Sequence, residues 1–361
     1  MTPILIFGFV IAFSVSFLIT PITIFVYRKL GWLDDPKKAT HPKNIHRYPV
    51  PRGGGIPVFI SLLVSSLIFL PLDKHLAGIL LGAVTLFILG ILDDRLDLNP
   101  YIRLLAGFLA AAFVVGSGIG IPYITNPFGG VIQLNQPQIP LFIFGKMRTI
   151  WVVADIFAFF WIVSVMNFVN WSKGVDGQLP GVVVIAGLTI AALSLSFSAD
   201  ITQWSVTILA LILAGAYLGF LPFNFYPQKI MAGYGAGTLA GYLLAVLSIL
   251  STTKVGTAMM VLGVPLVDAA FVLFRRIAVG QSPVWGDTRH LHHKLLSLGW
   301  SKRKVAIFYW VATAILGFLA LHLKASQKLF TILLLAVVLG LFLLWFKLFA
   351  TSSRLPDRDN G

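Results

Sequence analysis

Gly90-Ile91-Leu92-Asp93-Asp94-Arg95-Leu96-Asp97-Leu98-Asn99-Pro100 closes an apolar run that begins at residue 79, and this junction decides how the chain is read. Upstream, residues 76–92 carry no charge and suit lipid. Downstream, three carboxylates fall within five positions of a chain that has only 13 acidic residues in 361. Adjacent carboxylates repel each other, and each loses solvation when partly buried. A divalent cation or a phosphate reaction gives such a cluster a use.

The rest of the composition fits a bilayer. Hydrophobic residues make up 58% of the chain and charged residues 11%, and mean hydropathy is +0.90, which places it among integral membrane proteins. With no cysteine, disulfides, thiolate nucleophiles and Cys-ligated metals are excluded. The first apolar run, 3–27, lacks a basic n-region and is long enough to span, so it reads as a retained helix. The formal charge of +14 reads as basic membrane flanks facing anionic headgroups, not as a nucleic-acid surface.

About 20 apolar residues cross a bilayer. That ruler predicts an all-α protein of about eleven transmembrane helices, at 3–27, 54–72, 76–92, 103–121, 148–169, 180–198, 203–222, 236–252, 255–274, 304–323 and 328–350. Residues 122–147 are too polar to span, and their partial alternation predicts a small external β-hairpin. No internal repeat is evident. Residues 1–350 read as one polytopic domain, with 351–361 as a short disordered tail. The loops after spans 1, 3, 5, 7 and 9 hold, with the C-terminus, 21 of the 27 Lys and Arg residues. The positive-inside rule puts that side in the cytoplasm and the N-terminus outside, in a multi-pass protein of the plasma (inner) membrane.

Every polar cluster falls on that one side, which argues for a composite site. In the first loop, Arg47 and Arg52 precede Gly53-Gly54-Gly55, offering cations and exposed backbone N–H groups to phosphate, or simply topological charge and a flexible start to a helix. Asp93-Asp94-x-x-Asp97 has the oxygen ligands that hard cations take, and Arg103 follows closely enough to neutralise them. Asn167 and Asn170 are i,i+3 neighbours that can face one cavity; capping of the helix end is the alternative. Arg289-His290-Leu291-His292-His293-Lys294 has no adjacent fourth zinc ligand and lies among cations, which favours an anion cradle over zinc. A basic loop touching headgroups is the plainer reading.

Together these segments resemble the polyprenyl-phosphate N-acetylhexosamine-1-phosphate transferases, the MraY/WecA type of glycosyltransferase family 4. The resemblance runs from Gly31-Trp32-Leu33-Asp34-Asp35-Pro36 to about Trp310. It is carried by Pro51-Arg52-Gly53-Gly54-Gly55, Asp93-Asp94-x-x-Asp97-x-x-Pro100, Asn167-x-x-Asn170 with Gly174-Val175-Asp176-Gly177, Phe223-Asn224-Phe225-Tyr226-Pro227-Gln228-Lys229-Ile230, and Asp287-Thr288-Arg289-His290-Leu291-His292-His293-Lys294. The histidine segment looks like the WecA-like branch, which uses UDP-N-acetylglucosamine-type donors.

The resemblance implies transfer of N-acetylhexosamine-1-phosphate, GlcNAc-1-phosphate in this branch, from a UDP-sugar to undecaprenyl phosphate with release of UMP. That is a first membrane step of cell-wall or surface-polysaccharide synthesis, with Mg²⁺ (or Mn²⁺) as cofactor and a homodimer as a compatible assembly. It implies catalytic roles for Asp93, Asp94, Asp97, His290, His292 and His293. Arg47, Arg52, Asn167, Lys173, Asp176, Lys229 and Arg289 would bind substrate, and Asn170 and Asp94 would hold the metal. Three positions depart from the family pattern: Tyr234 stands at the metal-binding aspartate, Met231 at an aromatic that packs on uracil, and Lys173 at the first aspartate of Asp-Gly-x-Asp-Gly. A neutral phenol is a poor substitute for a carboxylate at Mg²⁺. A second reading is therefore a catalytically impaired relative that still binds lipid phosphate or nucleotide-sugar. A third, a membrane transporter, predicts mid-span ionisable residues and inverted repeats, whereas here the ionisable residues cluster at one surface and no repeat shows.

Overall fold

Backbone polar groups have no water to bond in lipid, so apolar segments must close their hydrogen bonds as helices. The computed structural model describes residues 2–36, 48–126, 128–143, 146–251, 254–282 and 290–346. Among them the helices are α1 (Thr2–Lys29), α2 (Gly55–Phe69), α3 (Lys74–Leu96), α4 (Pro100–Gly116), α5 (Val152–Trp171), α6 (Gln178–Ser196), α7 (Thr202–Asn224), α8 (Gly233–Leu250), α9 (Lys254–Val261), α10 (Gly263–Ala278), α11 (Leu291–Ser297), α12 (Lys302–His322) and α13 (Ala325–Trp345). Local sequence sets several of their ends. The Asp73 carboxylate accepts the Leu76 N–H at the start of α3, and Asn99 accepts that of Tyr101 ahead of Pro100 at the start of α4, as N-caps do.

The eleven expected segments all return as helix, but not all as simple spans. Eight described helices are long and apolar enough to cross a membrane: α1, α3, α5, α6, α7, α8, α12 and α13. The α2 and α4 helices are shorter. The expected span at 255–274 is instead two helices, α9 and α10, bent by 87°. Pro265 explains the break, because proline is tolerated in a first helical turn and not in mid-helix. The span expected from 148 begins at Val152, because Lys146–Trp151 pairs with Gln138–Ile143 as a hairpin. A second hairpin joins Tyr123–Thr125 to Val131–Gln133, so the region expected to hold one hairpin has two. The tail expected at 351–361 lies outside the described residues.

Burial ranks the helices. In α8 every residue from Gly233 to Ile249 is buried, whereas α13 buries only Lys328 and Leu339. The outward faces of α1 and α13 carry Phe7, Leu18, Phe25, Phe330 and Leu334, an apolar surface matched to lipid tails. Helices that meet in lipid use small residues to bring backbones together. Gly90 of α3 and Gly55 of α2 both press on Gly235, and Gly215 and Gly219 of α7 lie against the α1 backbone at Phe9 and Phe13. The start of α8 is thereby wedged between the end of α3 and the start of α2.

Candidate active site

The first turn of α8 is where two of the expected site residues, Asp94 and Lys173, meet. Asp93 and Asp94 lie in the last turn of α3, not in the loop expected from hydropathy. Asp97 caps that helix in the left-handed conformation (φ 49°, ψ 65°) and returns its N–H to the Asp93 carbonyl at 2.9 Å, a common way to end a helix. The two aspartates then part. Asp93 is buried; it accepts the Arg103 Nε–H in a short ion pair and the Leu98 N–H at 3.2 Å. Arg103 also reaches the exposed Asp97 at 2.6 Å. Asp94 turns toward α8, where its Oδ1 accepts the Tyr234 N–H at 2.7 Å and its carboxylate lies over Gly233.

Lys173 approaches the same turn from the loop after α5. Its ammonium donates to the Gly233 carbonyl and lies 5.8 Å from the centre of the Tyr234 ring. Burial pushes the Lys173 amine down to about 8. Asp94 and Asp93 oppose that, and the guanidiniums of Arg52 and Arg103 reinforce it. Asn170, one turn earlier, is buried against Gly237, and its Oδ1 has no hydrogen-bond partner. Gly237 leaves the space for it, since a Cβ there would collide with the amide.

The histidines join from the other side. His292 packs over Gly174, next to Lys173, and its ring stacks nearly parallel to His290 at 5.6 Å and lies 4.3 Å from His293. Burial drives the His292 imidazole well below the usual histidine range, and its neighbours His293 and His290 add to the effect. His290 is held by Asp268, whose Oδ2 lies 2.9 Å from the ring Nδ1 and whose Oδ1 accepts the Leu291 N–H at 2.8 Å. Asp268 was not among the expected site residues. A signal was there, because a lone carboxylate in the apolar stretch of α10 is costly without a buried partner.

Other expected residues fall at the margin. Asp176 is buried and accepts from Lys302 Nζ at 3.2 Å and from the Gln228 N–H at 3.4 Å. Arg52 is half-buried with its Nε 3.7 Å from Asp34, and Lys229 is exposed in the loop before α8. The Asn167 amide donates to the Val163 carbonyl of its own helix at 2.8 Å. The glycine run is not a set of free donors either. The Gly54 N–H bonds the Met231 carbonyl at 3.0 Å, and Gly53 lies under the Tyr27 ring. Arg47 and Arg289 lie outside the described residues.

The donor set does not fit the expected metal. Among the described residues no three His, Cys, Asp or Glu side chains group as a metal would require. Asp93 is engaged by Arg103 and one Asp94 oxygen by the Tyr234 N–H. The Tyr234 hydroxyl donates to the Arg103 carbonyl at 3.3 Å. One free Asp94 oxygen and the neutral Asn170 oxygen remain, beside an ammonium.

The profile of Glycosyl transferase family 4 matches residues 76–252, the interval that holds Asp93, Asp94, Asn170, Lys173 and the start of α8 but not Arg52 or the α10–α11 histidine arm. A "Probable undecaprenyl-phosphate N-acetylglucosaminyl 1-phosphate transferase" of Bacillus subtilis (strain 168) is 30% identical over 333 residues, covering 88% of this chain and 85% of its own. A "Phospho-N-acetylmuramoyl-pentapeptide-transferase" of Caldanaerobacter subterraneus is 28% identical over 88% of this chain and 98% of its own. An "Undecaprenyl-phosphate alpha-N-acetylglucosaminyl 1-phosphate transferase" of Thermotoga maritima is 26% identical over 77% and 78%.

Proposed function

The chain belongs to glycosyl transferase family 4, and from that premise we propose that it transfers GlcNAc-1-phosphate from UDP-GlcNAc to undecaprenyl phosphate at the cytoplasmic face of the plasma membrane. A phosphate oxygen of the lipid attacks the β-phosphorus of the donor, the bond to the bridging oxygen breaks, and UMP leaves. The product would begin a cell-wall or surface polysaccharide. One observation carries this reading: a carboxylate and an ammonium meet at one helix turn where membrane helices end, and a histidine stack packs on the loop beside that ammonium.

Each group has a task that its surroundings suit. Asp93 is locked by Arg103, so Asp94, with one oxygen free, is the group that orients the lipid phosphate and takes its remaining proton. The lipid tail lies along apolar helices while its phosphate reaches their ends. Lys173 and Arg52 supply positive charge where charge accumulates on the transferring phosphoryl group, the largest lever in such reactions. The histidine stack contacts the phosphates or the sugar. Asp176, steadied by Lys302, serves the nucleotide.

Purified protein given UDP-GlcNAc and undecaprenyl phosphate should release UMP, and Asp94→Asn should abolish release. Failure to release UMP from any UDP-N-acetylhexosamine would defeat the proposal.

A further inference from the structure

The two charge-changing departures from the family pattern, Lys173 and Tyr234, are 61 positions apart in the chain and adjacent in the fold. The Lys173 ammonium bonds the carbonyl just before Tyr234 and faces its ring. Their charges also belong together. Lys173 interacts with two carboxylates, Asp93 and Asp94, and two guanidiniums, Arg52 and Arg103. With aspartates at both departing positions, as in the family pattern, this set would carry two net negative charges, which one divalent cation neutralises. With Lys173 and Tyr234 it carries one net positive charge. Counting Asp34, 3.7 Å from Arg52, lowers both totals by one and leaves their difference of three unchanged.

We infer that Lys173 is the resident cation of this site, taking the place of the family's divalent metal, so that the diphosphate of a nucleotide-sugar binds and reacts without one. The Tyr234 phenol completes the exchange. Its hydroxyl is turned to the Arg103 carbonyl, and its ring lies beneath two cations, Arg103 at 5.6 Å and Lys173 at 5.8 Å. Aromatic faces attract cations in this way. An aspartate at position 234 would instead recreate a metal ligand beside Asp94. The charge on Lys173 is compact and mobile on its stem, suited to follow a phosphate as it transfers.

The inference rests on the phosphotransferase reading for its substrate, and nucleotide binding separates the two. UDP is titrated calorimetrically into the full-length protein in detergent, with EDTA or with Mg²⁺. Affinity should change by less than about threefold between the two conditions, whereas Lys173→Met should weaken binding by about 10-fold or more, as loss of a charged hydrogen-bond donor does. The double variant Lys173→Asp/Tyr234→Asp should bind UDP only with Mg²⁺. Wild-type UDP binding that collapses in EDTA and returns with Mg²⁺ overturns the inference, and that arm depends on no variant. UDP bound without metal, with no UMP released from any UDP-N-acetylhexosamine, supports the inference and defeats the transferase reading. Metal-dependent binding with UMP release does the reverse.

Discussion

Gly174→Ala tests the junction of the two halves of the site. A Cβ on Gly174 would sit 1.9 Å from His292 Nε2 and 2.0 Å from its Cδ2, whereas ordinary contact begins near 3.4 Å. The ring and the loop must therefore separate by about 1.5 Å. Neither side can yield freely. His292 is 2% exposed and stacked on His290, which Asp268 holds at 2.9 Å. The loop is pinned behind Gly174: Asn224 Oδ1 accepts the Gly177 N–H at 3.1 Å, Trp310 Nε1 donates to the Gly177 carbonyl at 3.1 Å, and Asp176 holds Lys302.

Overpacking of this kind costs about 1–3 kcal/mol, and a misplacement near 1 Å in a reacting constellation costs about 10²-fold in rate. Gly174→Ala should therefore lower the thermal midpoint, read by tryptophan fluorescence in detergent, by a few degrees, and cut the rate of UMP release about 100-fold. Gly256→Ala is the control, since nothing lies within 4 Å of a Cβ there. A Gly174→Ala protein with wild-type midpoint and rate would show that His292 does not pack on this loop, and the composite site would be wrong.

Three further outcomes follow from the same geometry. Arg103→Ala should leave the Asp93 carboxylate buried with only the Leu98 N–H. Breaking a buried pair from one side costs about 3–5 kcal/mol, so the thermal midpoint should fall well below that of Asp97→Ala; equal midpoints would count against the pair. Asp268→Asn should lower kcat more than KM by about 10–100-fold, as loss of a partner that orients an imidazole does, with partial rescue by Asp268→Glu; an unchanged kcat would remove Asp268 from the site. The third outcome concerns acid. Burial holds His292 neutral in the fold, while the unfolded chain protonates near pH 6.5. The unfolded state thus binds more protons as pH falls below that value, and stability should drop there. Thermal midpoints at about pH 7.5 and about pH 5 should differ more for wild type than for His292→Gln; equal differences would refute it.

Much of the site was legible because its chemistry is written in contiguous motifs. Asp93, Asp94, Asn170, Lys173 and the 290–293 histidines are all named by the sequence; α8 meets Asp94, Lys173 and Asn170, and His292 packs on the loop beside Lys173. What failed did so for physical reasons. Hydropathy weighs residues without regard to capping, so it ended α3 at Leu92 and missed the further turn that Asp97 closes in a left-handed conformation. It joined α9 to α10 because composition does not register that Pro265 opens a helix. The i,i+3 spacing does not register that an amide on a helix can bond its own preceding turn, as Asn167 does. Asp268 went unread because its partner, His290, lies 22 residues on and enters from another helix.

Taken one position at a time, Lys173 and Tyr234 look like losses, an inverted charge and a missing ligand. In space they are one change. A lysine beside an intact metal site would repel the metal, and a tyrosine alone would leave Asp93 and Asp94 short of positive charge. Each is unfavourable without the other, because like charges that meet at low dielectric are costly. Together they exchange a bound ion for a covalently attached one, and the carboxylate pair keeps a cation to work against. Here the ammonium, the ring and Asp94 lie at one turn of the most buried helix among those described, and Gly233, Gly235 and Gly237 give α3 and α5 their close approach.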